Sequence, residues 1–175
     1  MKKLAILFPG AGYGLESPLL YYADFLYEAN GFERIHMNYQ DILLNMDLST
    51  EDKIEKVREY IWKQVENIDF SIYKEIVFIS KSIGCVEAGN LAERLNLDVK
   101  QVFLTPVEEA VSYCNAGNTI VIGTHDKAYE FYKNHCDKND IKALYVKGAN
   151  HSLEVEGQPY ESMDALKNVM RFIER

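Results

Sequence analysis

Apolar residues gather in six runs of strand length, near residues 3–8, 33–39, 75–80, 101–105, 119–123 and 142–147. Most of these runs are continuous rather than alternating, which is the pattern of strands covered on both faces of a parallel sheet. The stretches between them carry helical periodicity. Residues 51–68 place Ile54, Val57, Ile61, Val65 and Ile68 on one face, and Ser49 and Asp52 are spaced as a capping box. Residues 160–174 repeat the pattern with Met163, Leu166, Val169, Met170 and Ile173. Ser17-Pro18 opens a further helix with serine at the N-cap and proline at the first helical position, its inner face being Leu19, Tyr22, Ala23 and Leu26. Alternation of strand and helix predicts a single α/β domain over residues 1–175, a three-layer doubly wound sandwich around a six-stranded, mainly parallel sheet in the order 2-1-3-4-5-6.

In such a sheet ligands bind beyond the carboxyl ends of the strands, where the strand order reverses, here between strands 1 and 3. The loops expected at that point are the two most distinctive in the chain. After strand 1 comes Pro9-Gly10-Ala11-Gly12-Tyr13-Gly14, and strand 3 runs Ile76-Val77-Phe78-Ile79-Ser80-Lys81-Ser82-Ile83-Gly84-Cys85 straight into a helix. A serine at a sharp strand-to-helix turn, flanked two residues away by small side chains, is how the G-x-S-x-G elbow presents a nucleophile. Here Gly84 is kept and Ser80 stands for the first glycine. A serine at such a junction also serves as an ordinary helix N-cap. The rest of the chain adds weight: Gly123-Thr124-His125-Asp126 follows strand 5, and Gly148-Ala149-Asn150-His151-Ser152 follows strand 6. Serine, acid and histidine therefore occur in the order Ser82, Asp126, His151, each just past a strand's carboxyl end.

This pattern resembles the α/β-hydrolase superfamily, in particular its small lidless members, over nearly the whole chain from Leu4 to Phe172. The segments that carry the resemblance are Phe8–Gly12, like the family's oxyanion loop with Pro9 where a histidine is common; Ser80–Gly84, like the nucleophile elbow; Gly123–Asp126, like the acid loop; and Gly148–Glu154, like the histidine loop. Two further N-terminal strands of the full superfamily are missing, so the resemblance implies a minimal version of that fold. It also implies roles: Ser82 attacks a carbonyl carbon, His151 takes and returns the proton, Asp126 orients the imidazole, and the backbone N–H groups of Ala11 and Ile83 hold the oxyanion.

Other residues near these loops have plainer readings. Asp126 alone could cap the helix expected at 127–137. His125 shares the acid's own turn and is expected on the pocket wall or surface, with Gly10, Gly12 and Tyr13 as further pocket residues. Lys81 is expected at solvent or on the pocket rim, since a Ser-Lys mechanism needs S-x-x-K spacing. Cys85 is expected to pack under its helix, Glu154 to lie on the rim, and His36 and His135 to be structural. Tyr21 and Tyr22 could join Tyr13 along an acyl pocket, or belong to the core.

A hydrophobic content of 47% supports one sizeable core, and a formal charge of −8 repels phosphate backbones and anionic membranes, so no nucleic-acid or membrane partner is expected. The apolar start is too short for a signal peptide and reads as strand 1. Three cysteines without a C-x-x-C pair fit free thiols in a reducing cytoplasm. No metal or cofactor is expected. Two alternatives stay open. One is a dinucleotide-binding module on Gly10–Gly14, although its third glycine comes one residue early. The other is a non-catalytic scaffold of the same fold. The favoured expectation is hydrolysis of a small-molecule acyl substrate by a carboxylesterase-like enzyme, with thioesters and amides as related classes. The short segment 107–118 leaves no room for a lid, and a homodimer could supply a roof.

Overall fold

The computed structural model describes residues 2–174. Six strands, β1 (Lys2–Phe8), β2 (Glu33–His36), β3 (Tyr73–Lys81), β4 (Lys100–Leu104), β5 (Thr119–Gly123) and β6 (Lys142–Val146), form one sheet in the order β2-β1-β3-β4-β5-β6. Every pairing is parallel. Among the described residues six α-helices connect or follow them: α1 (Pro18–Ala29), α2 (Gln40–Leu44), α3 (Thr50–Val65), α4 (Gly84–Leu95), α5 (Tyr129–Asn139) and α6 (Pro159–Ile173).

Side-chain alternation along each strand divides the core into two layers of packing. Ala5, Leu7, Val77, Ile79, Val102, Leu104 and Val121 point to the face covered by α1 and α6. Leu4, Ile6, Phe8, Ile76 and Phe78 meet α3 and α4 on the other face, where Phe103, Ile120 and Ile122 meet α5. Both faces are covered, so the strands read as unbroken apolar runs. At the start of α3 the expected cap forms, the Ser49 hydroxyl oxygen accepting from the Asp52 amide at 3.1 Å.

The boundaries differ from expectation in three places. β2 stops at His36 rather than residue 39, because its only partner is β1 and their register ends at Leu7 opposite His36. Met37 and Tyr39 are nonetheless buried, with the Tyr39 hydroxyl donating to the Pro9 carbonyl at 2.8 Å. α3 closes at Val65. α5 begins at Tyr129, since residues 124–128 are taken up by turns in which the amide of Asp126 donates to Gly123 and that of Tyr129 to Asp126. Cys85, Cys114 and Cys136 are buried free thiols. Among the described residues no helix is long and apolar enough to cross a membrane.

Candidate active site

Ser82 stands where two hydrogen-bond ladders meet. Its amide donates to the Leu104 carbonyl at 3.0 Å, extending the β3–β4 pairing, and its carbonyl accepts from Cys85 at 3.0 Å in the first turn of α4. Satisfying both directions puts its backbone in the left-handed region, at φ 56°, an uncommon conformation for a residue with a Cβ. The turn also forces α4 against β1. A Cβ at Gly84 would stand 2.6 Å from the carbonyl oxygens of both Phe8 and Pro9, so no side chain fits there. At the other flank Ser80 is fully buried and its hydroxyl donates to the Val102 carbonyl of β4 at 3.2 Å, which is how the elbow accommodates serine in place of glycine.

The loop after β1 presses on this elbow. A Cβ at Gly10 would lie 3.2 Å from the Ser82 Cβ and 3.3 Å from the Lys81 carbonyl oxygen. The loop is a closed turn, the Gly10 amide donating to the Tyr13 carbonyl at 3.0 Å. Gln40 braces it from α2, its Nε2 donating to the carbonyls of Gly10 at 3.0 Å and Ala11 at 3.3 Å. Among the described residues the amides of Ala11 and Ile83 donate to no other backbone group. Gly12 is exposed.

From the opposite side come the two loops after β5 and β6, stitched together by their backbones. The amide of Thr124 donates to Val146 and that of His125 to Ala149, each at 2.9 Å, while the Thr124 hydroxyl accepts from the Gly148 amide at 2.8 Å. The approach is close enough that a Cβ on Gly123 would collide with the Ala149 carbonyl. The Asn150 side chain folds the histidine loop by accepting from the amides of Ser152 at 2.8 Å and Glu154 at 3.1 Å. Thr105, at the end of β4, is fully buried with φ 42°, and its hydroxyl donates to the His151 carbonyl at 3.0 Å.

These supports bring the three expected residues together. His151 Nε2 is 2.9 Å from Ser82 Oγ, and Nδ1 is 2.6 Å from Asp126 Oδ2. Asp126 also caps the turn before α5, Oδ1 accepting from the Ala128 amide at 2.9 Å, so the one carboxylate touches both its own turn and the imidazole. Burial works against ionisation of Asp126, but the hydrogen bonds from His151 and Ala128, with the charges of His151 and Lys81 nearby, outweigh it and hold the carboxyl below the usual aspartate range. The imidazole is half exposed. His125 is exposed and lines a groove of about 620 Å³ with Pro106, Glu108, Glu109, Lys127 and His151.

Lys81 departs from expectation. It is buried, because β3 alternation carries it on from Val77 and Ile79 into the α1/α6 face, where Tyr13 covers it. Tyr13 is accordingly more than a pocket wall: its hydroxyl oxygen accepts from the Leu19 amide at 3.0 Å and so ties the loop to α1. Tyr21 and Tyr22 are exposed on α1. His36 is exposed and pairs with Asp24 at 2.8 Å, and the His135 ring meets the Cys114 carbonyl at 3.2 Å. Thr105 and Gln40 lie outside the loops expected at the site, and Thr124 lies in the acid loop with no role of its own expected. No local pattern marks them, since each acts through a partner that is distant in sequence. The Gly10–Gly14 loop does not open a helix in the manner of a dinucleotide cradle. Three residues separate Gly14 from Pro18 at the start of α1, and the Glu16 carboxylate crowds Gly14.

No family model matches the chain, and no curated protein matches it in sequence. Solved structures do match. A protein of the α/β-hydrolase superfamily from Xanthomonas campestris pv. campestris superposes with a TM-score of 0.70 over 99% of both chains at 14% identity. Dienelactone hydrolase from Anabaena variabilis gives 0.69 over 99% of this chain and 84% of its own at 15% identity. Est1E from Butyrivibrio proteoclasticus, solved with ferulic acid bound, gives 0.63 over 99% and 90% at 11% identity. What this chain shares with them is the fold: a six-stranded parallel version of the α/β-hydrolase architecture.

Proposed function

We propose that the protein is a serine hydrolase that cleaves small esters or related acyl compounds through a covalent acyl-enzyme. The observation that carries this reading is the continuous relay from Ser82 Oγ through His151 to the buried carboxylate of Asp126, built on a serine held at positive φ. In the reaction, Oγ attacks the carbonyl carbon as its proton passes to His151 Nε2. Asp126 keeps Nδ1 protonated and steadies the imidazolium. The negative charge that forms on the carbonyl oxygen is met by the free amides of Ala11 and Ile83, from the two loops that abut at Gly10 and Ser82. His151 then gives the proton to the leaving-group oxygen, which departs as an alcohol. Water repeats the sequence on the acyl-serine and releases the acid.

The surroundings favour a small substrate. The connection between β4 and β5 forms only a 3-10 turn, Glu108–Tyr113, and leaves the groove beside His151 open. Long acyl chains gain from enclosure, about 0.8 kcal/mol per buried methylene, and an open groove offers less of it. Turnover of p-nitrophenyl acetate by the wild type and by Ser82→Ala tests the proposal. A fall of at least about 10³-fold is expected, because triad members act as a unit. A variant that keeps more than a tenth of the rate assigns the chemistry to another residue, and an inert wild type makes the fold a non-catalytic scaffold.

A further inference from the structure

Lys81 is the one ionisable residue next to Ser82 that the reaction above does not use, and its placement is costly. It is 1% exposed. Its stem runs past Gly10, with Cγ 3.7 Å from where a Cβ on that glycine would stand, and its ammonium lies 4.9 Å from the centre of the Tyr13 ring. Among the described residues no carboxylate lies within ion-pair distance of Nζ and no acceptor hydrogen-bonds to it; the aromatic face is its partner. Lys81 therefore fills the underside of the turn that the Gly10 amide and Tyr13 carbonyl close. A largely buried ammonium without a carboxylate partner destabilises a fold. Packing would be served better by another residue like Val77 and Ile79, which precede it on the same face.

We propose that Lys81 is a positioning residue of the hydrolytic site: as a buried cation it pins the Gly10–Tyr13 turn through Tyr13, fixing the Ala11 amide, and it favours negative charge developing at the acyl oxygen above that turn. This rests on the serine-hydrolase reading. A fixed charge in a water-poor region acts more strongly than in solvent and needs no reorganisation as the reaction proceeds. The groups that face it are Tyr13 from the loop after β1, Cys85 from α4 and Asp126 from the loop after β5, with Glu154 reaching Tyr13 from the loop after β6. Burial pushes the Tyr13 hydroxyl and the Cys85 thiol each up to about 12, so both are neutral near pH 7 and Asp126 is the counter-charge. Burial also pushes the Lys81 ammonium down to about 8, against the opposing charge of Asp126. Activity that depends on this cation falls as pH rises past that value.

The experiment compares wild type, Lys81→Met and Lys81→Arg in kcat and KM for p-nitrophenyl acetate between pH 6 and 10, with the rate of fluorophosphonate labelling and the urea midpoint at pH 7. Expected is a wild-type kcat that declines above about pH 8. Lys81→Met should lose about tenfold to a hundredfold in kcat at pH 7, keep its KM, lack the alkaline decline and resist urea better. Lys81→Arg should retain much of the activity with the decline moved to higher pH. A Lys81→Met enzyme with wild-type kcat and an unchanged alkaline limb overturns the proposal, and so does one that unfolds more readily at pH 7, which would make Lys81 structural. Titration of the Lys81 Cε resonance in the wild type adds a check that needs no variant: a lysine still charged where kcat has fallen is a contrary result. Failure of the hydrolase reading looks different, since the wild type itself then neither turns over ester nor labels.

Discussion

The hydroxyl of Thr105 donates to the carbonyl of His151 at 3.0 Å, so the end of β4 holds the loop that carries the imidazole. Thr105 reaches this position with φ 42°, a conformation a β-branched residue rarely takes. Its amide is held at the same time by the Val121 carbonyl at 2.7 Å. The hydroxyl thus fixes how far the histidine loop stands from the elbow.

Thr105→Val keeps shape and removes that bond. Loss of one buried hydrogen bond costs about 1 kcal/mol of stability. The expected functional result is a several-fold lower kcat with little change in KM, because His151 moves relative to Ser82 while the groove is untouched. Steady-state kinetics with a urea melt check both.

The charge on Lys81 makes its own stability prediction. A value near 8 in the folded protein against the ordinary 10.5 means the unfolded chain binds more protons between those pH values, so the fold gains stability as pH rises through that window. Below about pH 8 the buried charge costs about 3 kcal/mol, since each tenfold loss of proton affinity on folding corresponds to about 1.4 kcal/mol. Lys81→Met should therefore be more stable than wild type at pH 7, with the difference closing as pH approaches 10.5. Denaturation midpoints across pH measure it.

Asp126 and His125 share a turn and should behave differently. Asp126→Asn and His151→Ala each break the relay, and a fall of about 10³-fold or more is expected. His125→Ala changes only a groove wall and should be mild. The carboxyl of Asp126 is held below its ordinary 3.8, so its contribution to stability is present above that pH and is lost as pH falls through the lower folded value. Asp126→Asn should show a shallower acid destabilisation below pH 3.8. Kinetics of the three variants and an acid titration of stability decide it.

Substrate preference follows from the open groove and its charge. Glu108, Glu109 and Glu154 are exposed at the carboxyl-end face, opposed in the groove by Lys127. Catalytic efficiency should decline from short to dodecanoyl esters, and multiply anionic esters should be disfavoured at low salt and recover at high salt. A monotonic rise with chain length would instead place a long-chain acyl group in the site.

Much of this is legible in the sequence for physical reasons that can be named. Strands buried on both faces must be apolar throughout, which marks β1, β3 and β5. Gly84 and Gly123 are required by the approach of backbone to backbone, and such glycines flag their loops. The end of β2 escapes the pattern because Met37 and Tyr39 are as buried as strand residues while lying beyond the β1 register. Lys81 misleads because a charged residue beside a serine at a loop turn reads as solvent-facing, whereas strand alternation turns it inward. The support from Thr105 and Gln40 depends on contacts across 46 and 29 to 30 residues, and no local pattern encodes those.

The most direct measurement of the central claim is covalent labelling of the protein by a fluorophosphonate, followed by peptide mapping. Attack on phosphorus requires a serine activated by a base and an oxyanion site in place. The expected result is a single adduct on Ser82 in the wild type, absent from Ser82→Ala and much slower to form in His151→Ala. A wild type that stays unlabelled, or an adduct mapped to any residue other than Ser82, contradicts the account.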